Sequence, residues 1–371
     1  MGLAGLLING GKAMKILQVI PSFLFGGGET MCENLCYALT ALGHEVTAVS
    51  LSGERTAISR RMESRGIRVL YLDKRPGLDV TMIPKLTRLF RDEQPDVIHT
   101  HLNVVKYAAP AARLAGRSAC VHTVHNMADK EETGIALKIS KFLFRRGWAK
   151  PVALSPLVRQ SIHQVHGLEE KDVPVIYNGI DLSRLLPKED YGVGDTVTLL
   201  HVGRFEAQKN HKGLVEAFAR LHQEEPQCVL HLLGDGELRG EIEQLVREKG
   251  LTDCVRFLGL QAEVPPYLHQ ADIFLLPSIY EGMPMSIIEA MGTGLPIVAT
   301  AVGGVPDMLR DGEDALLVPC DPEAIFRACQ TLVSDMELRA RLGTNARENS
   351  TRFSAEYMAR QYCRVYTNVA E

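Results

Sequence analysis

ADIFLLPSIYEGMPMSIIEA, residues 271–290, joins an unbroken apolar run to a turn of glycine and proline and then to an apolar helix. ADIFLLPS reads as a core strand of a parallel sheet, because a strand covered on both faces has no polar side to alternate. Pro284 suits the first helical position, Ser286, Ile287, Ile288, Ala290 and Met291 continue the helix, and Gly292 and Gly294 stop it. Glu281 then falls on the loop at a strand's carboxyl end, where open α/β sheets bind ligands, and Glu289 falls on the helix. Glu289 alone would be an ordinary surface charge; the buried strand ahead of it argues for a site. No Ser, Thr, Asp or Asn stands just before Pro284 to cap the helix, which leaves its first N–H groups free to hold a phosphate.

The same alternation runs outward in both directions. KILQVIP, HEVTAVSL, IRVLYL, DVIHTH, SACVHTVHN, PVALS and VPVIY read as strands in the first half, with helices between them. TVTLLHVGRF, CVLHLLGDG, VRFLG, IFLLPS, PIVAT and ALLVP repeat the pattern in the second. Strands alternating with helices predict two parallel sheets, each covered by helices on both faces. A charged, glycine-containing stretch after Asn178, Gly179 and Asp181 marks the boundary between them. The tail FSAEYMARQYCRVYTNVAE has helical spacing of Tyr357, Tyr362, Val365 and Tyr366, and so needs a surface to pack on.

Composition narrows the function. A chain of 371 residues with 46% hydrophobic content suits two globular domains, and a formal charge of -4 gives no reason to expect nucleic acid as partner. Its 8 cysteines include no C-x-x-C pair, which fits reduced thiols in the cytoplasm, and Cys32 and Cys36 read as packing residues. MGLAGLLINGGKA, residues 1–13, is an extension too short to span a membrane and without the basic start of a secretory signal.

A dinucleotide-binding oxidoreductase is the obvious rival. Gly26, Gly27 and Gly28 follow the first strand, but Met31 replaces the third glycine of G-x-G-x-x-G. The second strand also ends in Ser50, Leu51 and Ser52, where an acid should meet the ribose. The loop reads instead as a place of close backbone approach, either to a ligand or within a tight turn. In GRFEAQKN, Gly203 and Arg204 end a strand and Lys209 precedes a helix; two cations there can hold a diphosphate and stabilise charge as a bond to it breaks.

Together GGGET, YNGID, GRFEAQKN, LGDG and the run from Ala271 to Asp307 resemble the family-4 retaining glycosyltransferases, over essentially residues 14–371. The resemblance implies the GT-B fold: two Rossmann-like α/β domains of parallel sheet facing a cleft. Its layout would be an acceptor-binding domain over 14–183, a nucleotide-sugar domain over 184–350, and a helix over 351–371 crossing back to the first. Arg204 and Lys209 would grip the donor diphosphate, Glu281 would face the donor sugar, and Glu289 the ribose hydroxyls. Gly27, Gly28, Gly203, Gly234, Leu260, Gly282, Met283, Met285 and Ser286 would line the donor, with His125 of HTVHN near the reacting sugar. The reaction implied is metal-free transfer from a nucleoside-diphosphate sugar to a carbohydrate or lipid-linked acceptor, with retention, in cell-surface polysaccharide or glycolipid assembly.

No cofactor or metal is expected. The chain has no D-x-D pair to hold a diphosphate through a divalent ion, and in LGDGE Gly234 and Gly236 suit close backbone approach to the nucleotide. His99, His101, His122 and His125 could suggest zinc, but strand alternation sends His122 and His125 to opposite faces. Residues 135–150 mix Lys138, Lys141, Arg145, Arg146 and Lys150 with Ile139, Phe142, Leu143 and Trp148. They read either as a basic helix on the inner, anionic membrane face or as a helix packed on the first sheet. A nucleotide-sugar epimerase on the same fold, or a degenerate nucleotide-binding partner subunit, are the competing functions; base, sugar, acceptor and oligomeric state are not legible.

Overall fold

The apolar runs become strands because two covered sheet faces can bury them whole. The computed structural model describes residues 12–24, 26–261 and 263–370, so all but the last two residues of the expected extension, 1–13, lie outside the described residues. The chain forms two units, Met1–Gly179 with Ala355–Glu371, and Ile180–Ser354. The sequence places those boundaries after 183 and 350.

In the first unit β1 (Lys15–Ile20), β2 (Glu45–Ser50), β3 (Arg68–Tyr71), β4 (Val97–His101), β5 (Cys120–Val124) and β6 (Lys150–Ala153) form one sheet in the order β3-β2-β1-β4-β5-β6. All neighbours are parallel, with Gln18 beside His99 across β1 and β4. The strand order reverses between β1 and β4, which opens a crevice at their carboxyl ends. The second unit repeats this plan with β7 (Val197–Val202), β8 (Cys228–Leu233), β9 (Val255–Gly259), β10 (Ile273–Leu276), β11 (Ile297–Thr300) and β12 (Leu316–Val318). Its order is β12-β11-β10-β7-β8-β9, so the reversal lies between β7 and β10. Separate apolar cores, around Leu17, Phe90 and Ile98 and around Leu199, Phe218 and Phe326, hold the two units.

Four local expectations change. VPVIY is not a strand: its only ladder contact is a bridge from Val175 to Ala153, because Pro174 has no N–H to continue one. Pro284 caps the helix Met285–Thr293 from outside instead of opening it. Gly292 lies within that helix, where a Cβ would run into Leu182 and Leu185; the stop is Gly294, at φ 80° in the left-handed region. The terminal helix, Ala355–Ala370, buries Met358, Ala359, Tyr362 and Tyr366 in the first unit, while Tyr357 faces outward. Cys32 and Cys36 are buried packing residues, as their spacing suggests.

The basic segment is also shorter than 135–150. Its helix, Gly134–Arg145, is followed by Gly147 in the left-handed region, with Leu143 and Phe144 buried in the first unit and Ile139 and Trp148 packed against that core. Ile135 and Phe142 remain 74% and 48% exposed beside Lys138, Arg145 and Arg146.

Candidate active site

In the second unit the loops after β7 and β10, the two strands flanking the reversal, carry Arg204, Lys209 and Glu281. Lys209 Nζ donates to Glu281 Oε1 at 2.6 Å, and the two side chains are 17% and 5% exposed. Gln208 Nε2 donates to Glu281 Oε2 at 3.2 Å and to the Tyr280 carbonyl at 3.0 Å, while the Gln208 carbonyl accepts from Ile279 N–H at 2.8 Å. Both oxygens of this nearly buried carboxylate are therefore engaged. An ammonium has three donors, so Lys209 can hold Glu281 and still meet a phosphate. Asn210, at φ 51°, turns the chain into the helix His211–Glu224 and caps it by accepting from Gly213 N–H. Arg204 is 60% exposed and pairs with Glu206 at 3.2 Å.

Behind Lys209 lie His201 and His211, ring centroids 4.8 Å apart, with His211 stacked on Phe205. Burial pushes them to about 4 and about 2, with Lys209 reinforcing it in both and the hydrogen bond to the Leu275 carbonyl opposing it in His201, so both are neutral and leave Lys209 and Arg204 to supply the charge.

The helix Met285–Thr293 has no side-chain cap, so Met285 and Ser286 present uncapped N–H groups at its start. Glu289, one turn on, is half-buried; burial raises it to about 7, opposed by Arg184 and reinforced by Glu263. Gly282, Met283 and Met285, in the turn and at the helix start, are buried, whereas Leu260, just past β9, is 51% exposed. Gly303 (φ 56°) lies under the turn: a Cβ there would fall 1.8 Å from the Glu281 carbonyl, which accepts from Gly304 N–H at 3.1 Å. Gly234 (φ 139°) has a similar reason, since a Cβ would come within 2.0 Å of the Gly203 carbonyl. Close approach at Gly234 and Gly236 is thus first an approach of the chain to itself, with Gly236 against the Phe205 backbone.

In the first unit the histidines join a buried hydrogen-bond network. Gln18 Nε2 donates to Tyr366 Oη at 3.2 Å, and Gln18 Oε1 accepts from His101 Nε2–H at 2.7 Å. Burial holds His101 well below its usual pKa and brings His125 to about 3, so both rings are neutral. His101 Nδ1 is then a bare acceptor, and His125 Nε2–H, 3.1 Å away, must be the donor. His125 Nδ1 keeps its lone pair and lies 3.3 Å from where a Gly28 Cβ would stand, next to Gly27 at the start of the helix Gly27–Ala41. Tyr366 and Tyr362 of the terminal helix bond His99 and Thr123, both at 2.7 Å. On the other face His122 donates from Nδ1 to Thr100, whose hydroxyl already donates to the Val121 carbonyl. Among the described residues no group of His, Cys, Asp or Glu is arranged to hold a metal.

Sequence reasoning missed Gln208, Gly303 and Gln18. Gln208 sits inside GRFEAQKN and Gly303 inside VGG, but only the fold brings them to Glu281; Gln18 reads as a stray polar residue in an apolar strand.

Two family models match, "Glycosyltransferase Family 4" over residues 25–184 and "Glycosyl transferases group 1" over 188–349. N-acetyl-alpha-D-glucosaminyl L-malate synthase of Bacillus anthracis is similar at 28% identity, covering 79% of this chain and 80% of its own. The lipopolysaccharide core biosynthesis glycosyltransferase LpsE of Rhizobium meliloti is 28% identical, over 92% and 95%. The crystal structure of Anabaena HepE with UDP-glucose superposes at TM-score 0.84 and 22% identity, covering 96% of this chain and 100% of that one, and matches the fold.

Proposed function

Since the chain belongs to the family-4 glycosyltransferases, its second half being a group 1 module, we propose that it moves a sugar from a nucleoside-diphosphate sugar to an acceptor hydroxyl with retention and without a metal ion. The observation that carries the reading is the Lys209–Glu281 pair, 2.6 Å apart at the strand-order reversal of the second sheet. As the nucleoside diphosphate departs, negative charge builds on its phosphates and oxocarbenium character on the sugar. Lys209, Arg204 and the uncapped helix start at Met285 oppose the first. Glu281, with both oxygens already bonded, is a weak nucleophile and serves to orient the sugar; the acceptor attacks from the leaving-group face. Glu289 takes the ribose hydroxyls, and His125 is a neutral hydrogen-bonding group toward the sugar.

HepE was solved with UDP-glucose, so a uridine nucleotide is the first donor to try. LpsE works on lipopolysaccharide core, which supports cell-surface polysaccharide or glycolipid as the setting. The exposed Ile135 and Phe142, set among basic side chains, would rest on an anionic membrane, and no described helix is long and apolar enough to cross one. Absence of flotation with anionic liposomes at low salt would remove the membrane from this reading.

The test is thermal stability with UDP, GDP, ADP and their sugar conjugates, each in EDTA and with magnesium or manganese. Stabilisation by one nucleotide series in EDTA is expected. Stabilisation only with metal would overturn the metal-free clamp, and none at all would overturn the donor site.

A further inference from the structure

At the carboxyl edge of the first sheet, the loops after β1, β2, β3 and β4 enclose a cavity of about 270 Å3. Lys74, Arg75 and Lys106 line it together with Ser52, Asn103 and Tyr107, and no lining side chain is an acid. On a chain of net charge -4 that is a local excess of positive charge in a partly enclosed place. Among the described residues, none of the three cations has a carboxylate within ion-pair distance.

The fold gives these cations backbone and aromatic partners, while Asp79 and Glu132 act on Arg75 and Lys106 only from beyond ion-pair distance. Lys74 Nζ donates to the carbonyls of Arg75 and Gly77, at 2.8 and 2.6 Å, which pins both its loop and its charge at the rim. Of the two acids on that loop, Asp73 lies against Gly53, next to the lining Ser52, and Asp79 turns inward: it accepts from Arg75 N–H at 2.9 Å and from the Thr81 hydroxyl at 2.6 Å. Lys74 and Lys106 lie over the same ring, 5.9 and 5.6 Å from the centroid of Tyr107. Burial lowers the pKa of Lys106, Glu132 opposes this, and Lys74 lowers it further, so the charge of a bound anion would offset both the desolvation and the repulsion.

We propose that this cavity binds the anionic group, a phosphate or carboxylate, of a small acceptor molecule, with Lys106, Arg75 and Lys74 as its counter-charges. The word acceptor rests on the transferase reading above; the anion site does not. Arg204 and Lys209, which the transferase reading gives to the donor diphosphate, belong to the second unit, and the three cations of this cavity to the first. Asn103 and Ser52 add an amide and a hydroxyl for a hydroxylated neighbour of that group. The volume suits a small polar molecule, at the low end of small-molecule sites. Leu78 and Val80, exposed on the same loop, also allow the anion to be a lipid headgroup whose tail stays outside.

The experiment is calorimetric titration of the full chain, with UDP present at saturation, by sn-glycerol 1-phosphate, L-malate and uncharged glycerol. In parallel, the protein is sedimented with phosphatidylglycerol or phosphatidylcholine vesicles. Binding of a soluble anion but not of glycerol is expected, weakened roughly tenfold or more by Lys106→Met and by Arg75→Gln, the loss of one charge-assisted contact each. Capture by phosphatidylglycerol alone, lost in the same variants, would support the site and identify the headgroup as the source. No binding of either anionic form, or binding unchanged in both variants, would overturn the proposal; thermal unfolding checks that each variant is folded. The heat of UDP binding is read separately: a chain that binds malate but no nucleotide keeps this site and loses the donor assignment.

Discussion

Replacing Lys209 by Met tests the second-unit site most directly. Lys209 Nζ is 2.6 Å from a Glu281 carboxylate that is 5% exposed, with Gln208 at 3.2 Å as the remaining donor. Removing one partner of a buried pair leaves the other charge without compensation and costs about 3 kcal/mol or more. Lys209 is 17% exposed, which puts the loss at the lower end of that range. Losing a positive group that faces the departing diphosphate lowers kcat by roughly a hundredfold to a thousandfold. The two effects separate in a double-mutant cycle. Glu281→Gln added to Lys209→Met removes the stranded charge, so the double variant should regain about 2 kcal/mol in urea denaturation while UDP release from UDP-sugar stays low. A Lys209→Met protein as stable as wild type, or a coupling below about 0.5 kcal/mol, would show that the pair is not the element we describe.

Glu289 should make nucleotide affinity depend on pH. With its carboxyl raised to about 7 by burial, only about a tenth is ionised one unit below, and the ionised carboxylate is the stronger acceptor for the ribose hydroxyls. Affinity should tighten roughly tenfold from pH 6 to pH 8 and level off above; a flat profile, or one that survives in Glu289→Gln, would refute the assignment. Nitrogen-15 spectra of the histidine rings should show His101 and His125 protonated at Nε2 and unchanged in charge from pH 5 to 8. Gln18→Leu should scramble the His101 signal, and Nδ1–H on wild-type His125 would reverse the network as derived. Gly303→Ala should cost on the order of 3 kcal/mol and weaken nucleotide binding, since its Cβ would meet the Glu281 backbone at a left-handed φ of 56°. A Gly303→Ala variant that melts with wild type would mean the turn has slack the structure does not show.

The sequence by itself determined the two sheets and the order of their strands along the chain. Continuous apolar runs such as IFLL and VTLLHV, short, bounded by turn residues and alternating with helical stretches, fit a covered parallel sheet, and the loops after them must then carry the polar chemistry. It also determined the residues worth watching, because Glu281, Lys209 and His125 each stand just past such a run. It misread Pro284, Gly292 and VPVIY, where the outcome depends on which neighbour occupies the space. Tertiary structure alone decided the pairings: Lys209 and Gln208 with Glu281, 72 and 73 residues apart, and Gln18 with Tyr366, 348 residues apart. It alone gathered Lys74, Arg75 and Lys106 around one cavity. Hydrophobic periodicity is local and survives in the bare sequence, whereas a hydrogen bond or a shared charge acts over a few ångströms and exists only after the fold has brought its partners together.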